Sequence, residues 1–465
     1  MKGNTARLVS IRFGFDTPSA TQPKSLRSES TQPALAILVV LNYLEKSHMN
    51  RTAKNQESRP VLFWGWWIVA VSFLTIFMFF GARQAFGIFL VPMCQDMGWS
   101  RGELSFVFMA MMALYGIVSI VWGRLTDKYS PRITVSISAV IGFVGYGLSA
   151  LVQTRWHLLI TYSLLFGIGM AGSYVPTTIT VRRWFHRKAG LAMGITVTAV
   201  GVGGFVFAPA TRALIDAFGW RLTYLIIGAF GIVTVPIFSF LVLRREPRDM
   251  GLHPDGVIEA ARPTSEREES QGYRDILRRR NFWALSLSYS FAMGGAYTIT
   301  THIAAFAQDI GISARTGSLA LGIIGLSSVP GRLIMGGYSD RIGRKKALLL
   351  ALSVKFLTSL LLFLVRDVSV LFLSSVILGI GYGGSVPLYP AFLGDLFKGK
   401  DLAFLFGIST LLAGLSIGVG SFVAGTLFDY FGNYFWAFVM VSMFFLLAGI
   451  LAYLIKSRDS SLRSE

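Results

Sequence analysis

The chain has 465 residues, 53% of them hydrophobic and only 14% charged, against about 25% charged in ordinary soluble domains, and its mean hydropathy is +0.58. A net charge of +19 would point a soluble protein toward nucleic acid, but here Lys and Arg gather in alternate loops between apolar runs, which is a topological signal rather than a binding stripe. The lone Cys94 excludes an intrachain disulfide framework and any multi-cysteine metal site.

Residues 1–60 are polar, rich in Ser, Arg, Gln and Thr, with one short apolar run, Ala34–Leu44, too brief to span a bilayer. They read as a transit-like or disordered leader, or as a misassigned start, since Met49-Asn50-Arg51 opens a conventional basic lead-in to the first span. Six apolar spans follow, at 63–91, 104–124, 133–152, 157–180, 189–213 and 221–243. A linker at 244–281 mixes charges (Glu266, Arg267, Glu268, Glu269; Arg278, Arg279, Arg280) with Pro247, Pro254 and Pro263, and reads as a flexible connector. Six more spans come at 282–306, 316–338, 347–365, 369–393, 402–427 and 434–455, then a short tail, 458–465. The two bundles are thus expected over 61–243 and 282–457.

The two sets of six share one register. Asp127 in Gly123-Arg-Leu-Thr-Asp127 and Asp340 in Gly336-Gly-Tyr-Ser-Asp340 lie 340 − 127 = 213 positions apart. The same offset carries Asp96 to Asp309, Gly194 to Gly407 and Asp216 to Asp429, so the chain is a tandem repeat of two like halves. Arg124, Lys128, Arg132, Arg182, Arg183, Arg187, Lys188, Arg341, Arg344, Lys345, Lys346, Lys398, Lys400, Lys456 and Arg458 fall on one side. The opposite loops carry Asp96, Glu103, Arg155, Asp216, Asp309, Asp367 and Asp429. Both termini are therefore expected in the cytosol, with the protein multi-pass in the cell (inner or plasma) membrane. The expected fold class is an all-α membrane protein of twelve transmembrane helices in two pseudo-symmetric six-helix bundles related as a parallel repeat.

Ionisable residues inside spans are costly and usually face a cavity. Here they are Arg83, His302, Arg332 and Lys355, with no Asp or Glu well inside any span. Arginines without an internal carboxylate require their counter-ion from outside, so the expected ligand is an anion, and a guanidinium fork fits a carboxylate. Arg332 lies eight residues before Asp340, about 12 Å from the rim at 1.5 Å per residue, either as a substrate anchor or as a lock to a neighbouring helix. Arg83 interrupts Gly81-Ala-Arg-Gln-Ala-Phe-Gly87, a stretch that should bend the first helix, as a substrate or gate residue or a partner of backbone carbonyls. His302 is a candidate proton relay or a satisfied polar residue near the membrane face. Lys355 reads as snorkelling or packing. Gly167-Ile-Gly-Met-Ala-Gly172 and Gly379-Ile-Gly-Tyr-Gly-Gly384 lack the strand a dinucleotide site needs. With Pro176, Pro387 and Pro390 they mark interrupted spans at matching places, the best pointer to a midplane site, and bring in Tyr174, Tyr382 and Tyr389 as wall candidates.

These residues resemble the major facilitator superfamily, whose signature Gly-x-x-x-Asp-x-x-Gly-Arg-Lys is matched fully by Gly336…Asp340…Gly343-Arg344-Lys345. The first-half copy keeps Gly123 and Asp127 but has Ser130 and Pro131. A finer resemblance, to the monocarboxylate-porter and oxalate/formate-antiporter branch, rests on Trp64-Gly-Trp-Trp67, Phe86-Gly-Ile-Phe89, Gly98-Trp-Ser-Arg101, Arg183-Trp-Phe185 with Gly190-Leu-Ala-Met-Gly194, and Gly331-Arg332-Leu333. The resemblance implies a substrate-carboxylate arginine at Arg332 and a latch between the half-domains at Asp127, Arg132, Asp340 and Arg344 that stabilises one access state. Two positions depart: Ser328 replaces the acid animal members place before that arginine, and the eleventh span lacks the lysine of oxalate exchangers. A monocarboxylate therefore fits better than a dicarboxylate.

The expectation is a secondary transporter, not an enzyme, without cofactor or metal, that moves small organic anions with H+ by alternating access. Its partners are the anion, protons and the lipid bilayer, with no nucleic acid. Carboxylate exchange is the close variant, and a non-transporting receptor on the same scaffold the alternative from another class.

Overall fold

The protein is described here by a computed structural model covering residues 63–256, 273–397 and 402–455. The expected leader, the tail and the middle of the linker lie outside these residues. All described regular structure is helical. Ten helical stretches are long and apolar enough to cross a membrane, and one of them, Ala189–Val242, runs 54 residues. It is two rods: Gly219 breaks it with φ 74° and ψ 166°. Arg280–Asp309 adds a further 30-residue rod. It is less apolar because Ser286, Ser288, Ser290, Tyr297, Thr298, Thr300, Thr301 and His302 are buried along it. A helix can hide so much polarity only by facing other helices, not lipid.

The twelve rods are α1 (Trp64–Met97), α2 (Arg101–Tyr129), α3 (Pro131–Leu151), α4 (Arg155–Trp184), α5 (189–218), α6 (220–242), α7 (Arg280–Asp309), α8 (Ala314–Ile342), α9 (Arg344–Leu364), α10 (Val368–Leu396), α11 (Leu402–Phe431) and α12 (Phe435–Leu454). Their outward faces carry Ile117, Ile120, Phe230, Val233, Leu357 and Leu373, each more than half exposed in the absence of lipid. The halves meet where α2 packs on α11, α5 on α8, and the second segment of α1 on α7.

Local sequence sets the helix ends. Gly98 turns at φ 65°, and Ser100 then caps α2, its hydroxyl accepting from the Glu103 amide while the Glu103 carboxylate accepts from the Ser100 amide. This capping box satisfies two orphan donors at once. The Asp367 carboxylate caps α10 by accepting from the amides of Ser369 and Val370. Between α2 and α3, and again between α8 and α9, one residue makes the whole turn: Ser130 at φ 89°, ψ 139° and Gly343 at φ 89°, ψ 143°. The two copies of the turn are thus superimposable in backbone, although only the second has the glycine such a turn favours.

Three spans are interrupted. α1 breaks at Ala85, inside the stretch where a bend was expected. α4 is a composite, with a π-helical turn over Leu159–Phe166 and a break at 172–173. α10 stops at Ser385 and restarts at Leu388. The α4 and α10 breaks obey the repeat, since 386 − 173 = 213. The two described ends of the linker are held against the helices. Its start is docked, because the Asp255 carboxylate accepts from the backbone amides of His186 and Arg187 at 2.7 and 2.6 Å. Its end buries Ile276 against the second half.

Candidate functional site

The interruptions of α1, α4 and α10 converge with α7 and α8 at the level where the halves touch. Gly87, just past the α1 break, lets α7 come close: a Cβ there would lie 2.3 Å from the Thr301 carbonyl oxygen. This approach puts Arg83 against the opposite half. The side chain is 2% exposed, and one guanidinium nitrogen donates to the Tyr297 hydroxyl at 2.9 Å. Its carbon stands over the rings of Tyr297 and Phe80, 4.4 and 4.9 Å from the centroids. The Tyr297 hydroxyl bonds that of Tyr382 at 2.7 Å. Phe80 packs against Tyr174 and Tyr115, with centroids 5.7 and 6.4 Å away.

Arg332 approaches from α8, where a guanidinium nitrogen donates to the Val197 carbonyl of α5 at 2.7 Å. It is close enough to Tyr174, Tyr297 and Tyr382 to interact electrostatically with each. Two arginines, one from each half, therefore share one cluster of tyrosines, and neither forms an ion pair among the described residues. The Nε atoms of both are buried without a hydrogen-bond partner. Arg83 also donates to the Met112 sulfur at 3.9 Å, and a guanidinium drawn out of water with only neutral partners retains unmet attraction for an anion. No cluster of His, Cys, Asp and Glu fit to hold a metal occurs among the described residues.

Of the predicted wall residues, Tyr174 and Tyr382 stand here and Tyr389 does not. Tyr389 lies beyond the α10 break, 1% exposed, with its hydroxyl on Ser288 at 3.1 Å and its ring against Tyr289 at 4.7 Å. Restarting the helix turned it into the interior of the second half, so it is a packing residue. Tyr297 and Tyr115 were not singled out from the sequence. The repeat held a clue to Tyr297, because 297 − 213 = 84, the neighbour of Arg83. Lys355 does not snorkel: it is fully buried, its amine donating to the Ala292 carbonyl and the Ser385 hydroxyl at 3.3 and 2.9 Å.

His302 belongs to a different assembly, at the acid-bearing ends of the helices. Arg101 pairs bidentately with Asp309 across the halves at 2.5 and 2.7 Å. Asp429 accepts from the first amides of α2, Arg101 at 3.0 Å and Gly102 at 2.6 Å, which suits a carboxylate at a helix N-terminus. Arg101 also donates to the Tyr434 hydroxyl at 2.9 Å. That hydroxyl lies 3.0 Å from Nδ1 of His302, whose Nε2 is 2.9 Å from the Ser421 carbonyl. Because a carbonyl only accepts, Nε2 carries the proton, and in the neutral ring Nδ1 accepts from Tyr434. Beside this network, Asp216 on α5 pairs with Arg212 and, across the halves, with Arg315 at 3.0 Å.

Toward the basic ends the inter-half hydrogen bonds among the described residues thin to Arg332–Val197. A Cβ added at Gly190, Gly194, Gly336, Gly337 or Gly407 would meet nothing within 4 Å. The halves are closed at the acid-bearing ends and parted at the basic ends. The latch expected between the halves is, in this state, a clasp within each. Asp127 pairs with Arg183 of α4 at 2.7 Å. Asp340 pairs with Arg344 at 2.6 Å, and Arg344 reaches Asp395 of α10 at 3.8 Å. Arg132 lies over the Phe240 ring, 3.8 Å from its centroid. The one-residue turns explain this, because they leave the carboxylates within reach of their own bundle only.

The family profile of the Major Facilitator Superfamily matches residues 72–369 and 303–465. Similar chains include monocarboxylate transporter 13 of Bos taurus, 26% identical over 391 residues covering 83% of this chain and 88% of that one. Monocarboxylate transporter 11 of Homo sapiens is 25% identical over 278 residues, 60% of this chain and 57% of that one. Among solved structures, a bacterial homolog of the human lysosomal transporter Spinster, inward-facing and unoccupied, superimposes with a TM-score of 0.69 at 17% identity, over 86% of this chain and 97% of that one. Fold, repeat and profile agree: the chain belongs to the major facilitator superfamily of transporters.

Proposed function

We propose that the protein carries small organic anions, monocarboxylates foremost, across the membrane with H+ by alternating access. The observation that carries the reading is the pair of arginines, one per half, Arg83 buried and Arg332 half-buried, near shared tyrosines and with no carboxylate partner among the described residues. A monocarboxylate bound between Arg83 and Arg332 supplies the missing charge and bridges the halves at one point. Binding energy then favours states in which both arginines reach it, and rocking about that point exposes it to either side. The Arg101–Asp309–Asp429–Tyr434–His302 network is the closure on the acid-bearing side, which loop charge assigns to the exterior. In this role His302 orients the gate rather than shuttling a proton. The relatives named monocarboxylate transporters support the substrate class.

Purified protein in liposomes tests this. An inward-directed proton gradient is expected to drive accumulation of labelled pyruvate or lactate, and Arg332→Gln to abolish it. Normal transport by Arg332→Gln would remove the anchor assignment. A second reading, obligate exchange of one carboxylate for another, is favoured by Ser328, whose hydroxyl merely donates to the Gly325 carbonyl and offers no proton-binding group there. Counterflow without gradient-driven accumulation would select it.

A further inference from the structure

Symport requires a group that takes up and releases a proton within the membrane, and among the described residues of the second half no carboxylate is placed to do so. Its acids in the described helices, Asp309, Asp340, Asp395 and Asp429, all stand in terminal turns. Among the described residues of the second half, one fully buried lysine stands without a partner of opposite charge. Lys355 is 0% exposed in the middle of α9. Around its amine, α7 presents the Ala292 carbonyl at 3.3 Å, α10 the Ser385 hydroxyl at 2.9 Å, and α12 the Phe445 ring with its centroid 5.5 Å away.

The titratable side chains of the surrounding helices are engaged elsewhere. His302 lies in the gate network, Tyr297 and Tyr382 bond each other, Tyr389 bonds Ser288, Arg332 bonds Val197, and Lys345 lies over Tyr453. The Lys355 amine is fully buried and forms no ion pair among the described residues. An ammonium donates three hydrogen bonds and a neutral amine two. Two oxygen acceptors face Nζ among the described residues, enough for the neutral amine, and the Phe445 ring face stands beside them for the ammonium, so the site can hold the amine with or without the added proton.

The amine is also wired to the anion site. Ser385, which accepts from Lys355, donates to the Tyr382 carbonyl at 3.0 Å. The Lys355 stem packs where a Cβ on Gly381 would lie 2.9 Å from its Cγ. One turn of α10 therefore holds Lys355 on one face and aims the Tyr382 hydroxyl at Tyr297 and Arg83 from the other. We propose that Lys355 is the proton-binding group of this carrier, the amine lone pair taking H+ to form an ammonium when a carboxylate occupies the arginine pair and releasing it when the carboxylate leaves. The inference rests on the anion reading above. The bound anion favours the ammonium electrostatically, one proton enters with one monoanion, and the loaded carrier gains no net charge.

The test combines proton uptake on binding with flux. Full-length protein in lightly buffered detergent is titrated with pyruvate, lactate, acetate and benzoate while pH is followed, and the same protein in liposomes is assayed for counterflow and for gradient-driven uptake. Wild type is expected to take up about one proton per bound ligand and, at one-to-one stoichiometry, to accumulate up to about tenfold per pH unit of gradient. Lys355→Met, which cannot bind the proton, and Lys355→Arg, which cannot release it, should both retain counterflow and lose ligand-linked proton uptake and accumulation. Lys355→Arg keeps the donors that α7 and α10 use, so it carries the test should the methionine variant fail to fold. Proton uptake or accumulation that persists in either variant would overturn the assignment. Binding and counterflow in wild type without proton uptake would overturn it too, leaving the anion reading standing. No binding of any carboxylate by wild type would instead overturn the anion reading and Lys355's role with it.

Discussion

At the scale of single residues, Arg83 shows a buried cation left with neutral partners alone among the described residues. Arg83 is held by one tyrosine hydroxyl, the Met112 sulfur and two ring faces, with its Nε unmet. Replacing Tyr297 by Phe removes that hydroxyl and leaves another donor unpaired. The expected outcome is a loss of about 2 kcal/mol in the empty protein, of which a bound carboxylate recovers a part. Thermal unfolding with and without pyruvate checks it: Tm of the empty variant should fall, and the ligand-induced rise should exceed that of wild type. Tyr389 is the contrast, for its hydroxyl serves only the interior of one half. Tyr389→Phe should leave carboxylate counterflow unchanged and lower stability by about 1 kcal/mol. Periodicity could not separate Tyr382 from Tyr389, since both lie on the same span, one ahead of its prolines and one between them. The break at 386–387, which turns the following segment, is a tertiary outcome.

At the scale of elements, the one-residue turns after α2 and α8 couple local backbone to bundle geometry. Ser130 holds a φ of 89° that costs a non-glycine residue about 1–3 kcal/mol, while Gly343 meets the same demand without a side chain. Ser130→Gly should therefore stabilise the first half, raising Tm with transport kinetics intact, as scanning calorimetry of the purified protein would show. An unchanged or lowered Tm would mean that the added freedom of glycine in the unfolded chain cancels the gain. The helices themselves were legible: all twelve spans recur near their expected positions, because about 20 apolar residues in a row admit no other structure in lipid. Less legible was α7, whose polar content lowers its hydropathy even as its position in the repeat marks it as a span.

For the whole molecule, the distribution of inter-half bonds defines a conformational state. The acid-bearing ends are locked by Arg101, Asp309, Asp429 and Tyr434, and the basic ends are apart. Asp309→Asn removes the charge of the bidentate pair and should cost the closed state about 2 kcal/mol, a roughly thirtyfold shift in the equilibrium between access states. A cysteine at Ser105, which is fully buried on α2 beside α11, reports this in a Cys94→Ser background. A membrane-impermeant maleimide applied from the acid-bearing side should label it faster once Asp309 is changed, and an unchanged rate would show that the pair does not hold the gate. These residues were visible in the sequence only as landmarks of the repeat. Arg101 and Asp309 are 208 positions apart, and nothing local in either predicts that they meet.

What the sequence determined alone is whatever lipid and repetition force: the spans, the two halves in a 213-residue register, the interrupted helices, and the absence of any acid to neutralise the arginines. Which charges face one another was decided by the tertiary structure, because pairing across the halves depends on how two bundles rock together and not on the spacing within either. The same packing separated Tyr382 from Tyr389, joined His302 to Tyr434 and Arg101, and sealed Lys355 inside the second half. Hydropathy records how well a segment dissolves in lipid, but it carries no record of which neighbour a buried side chain will find.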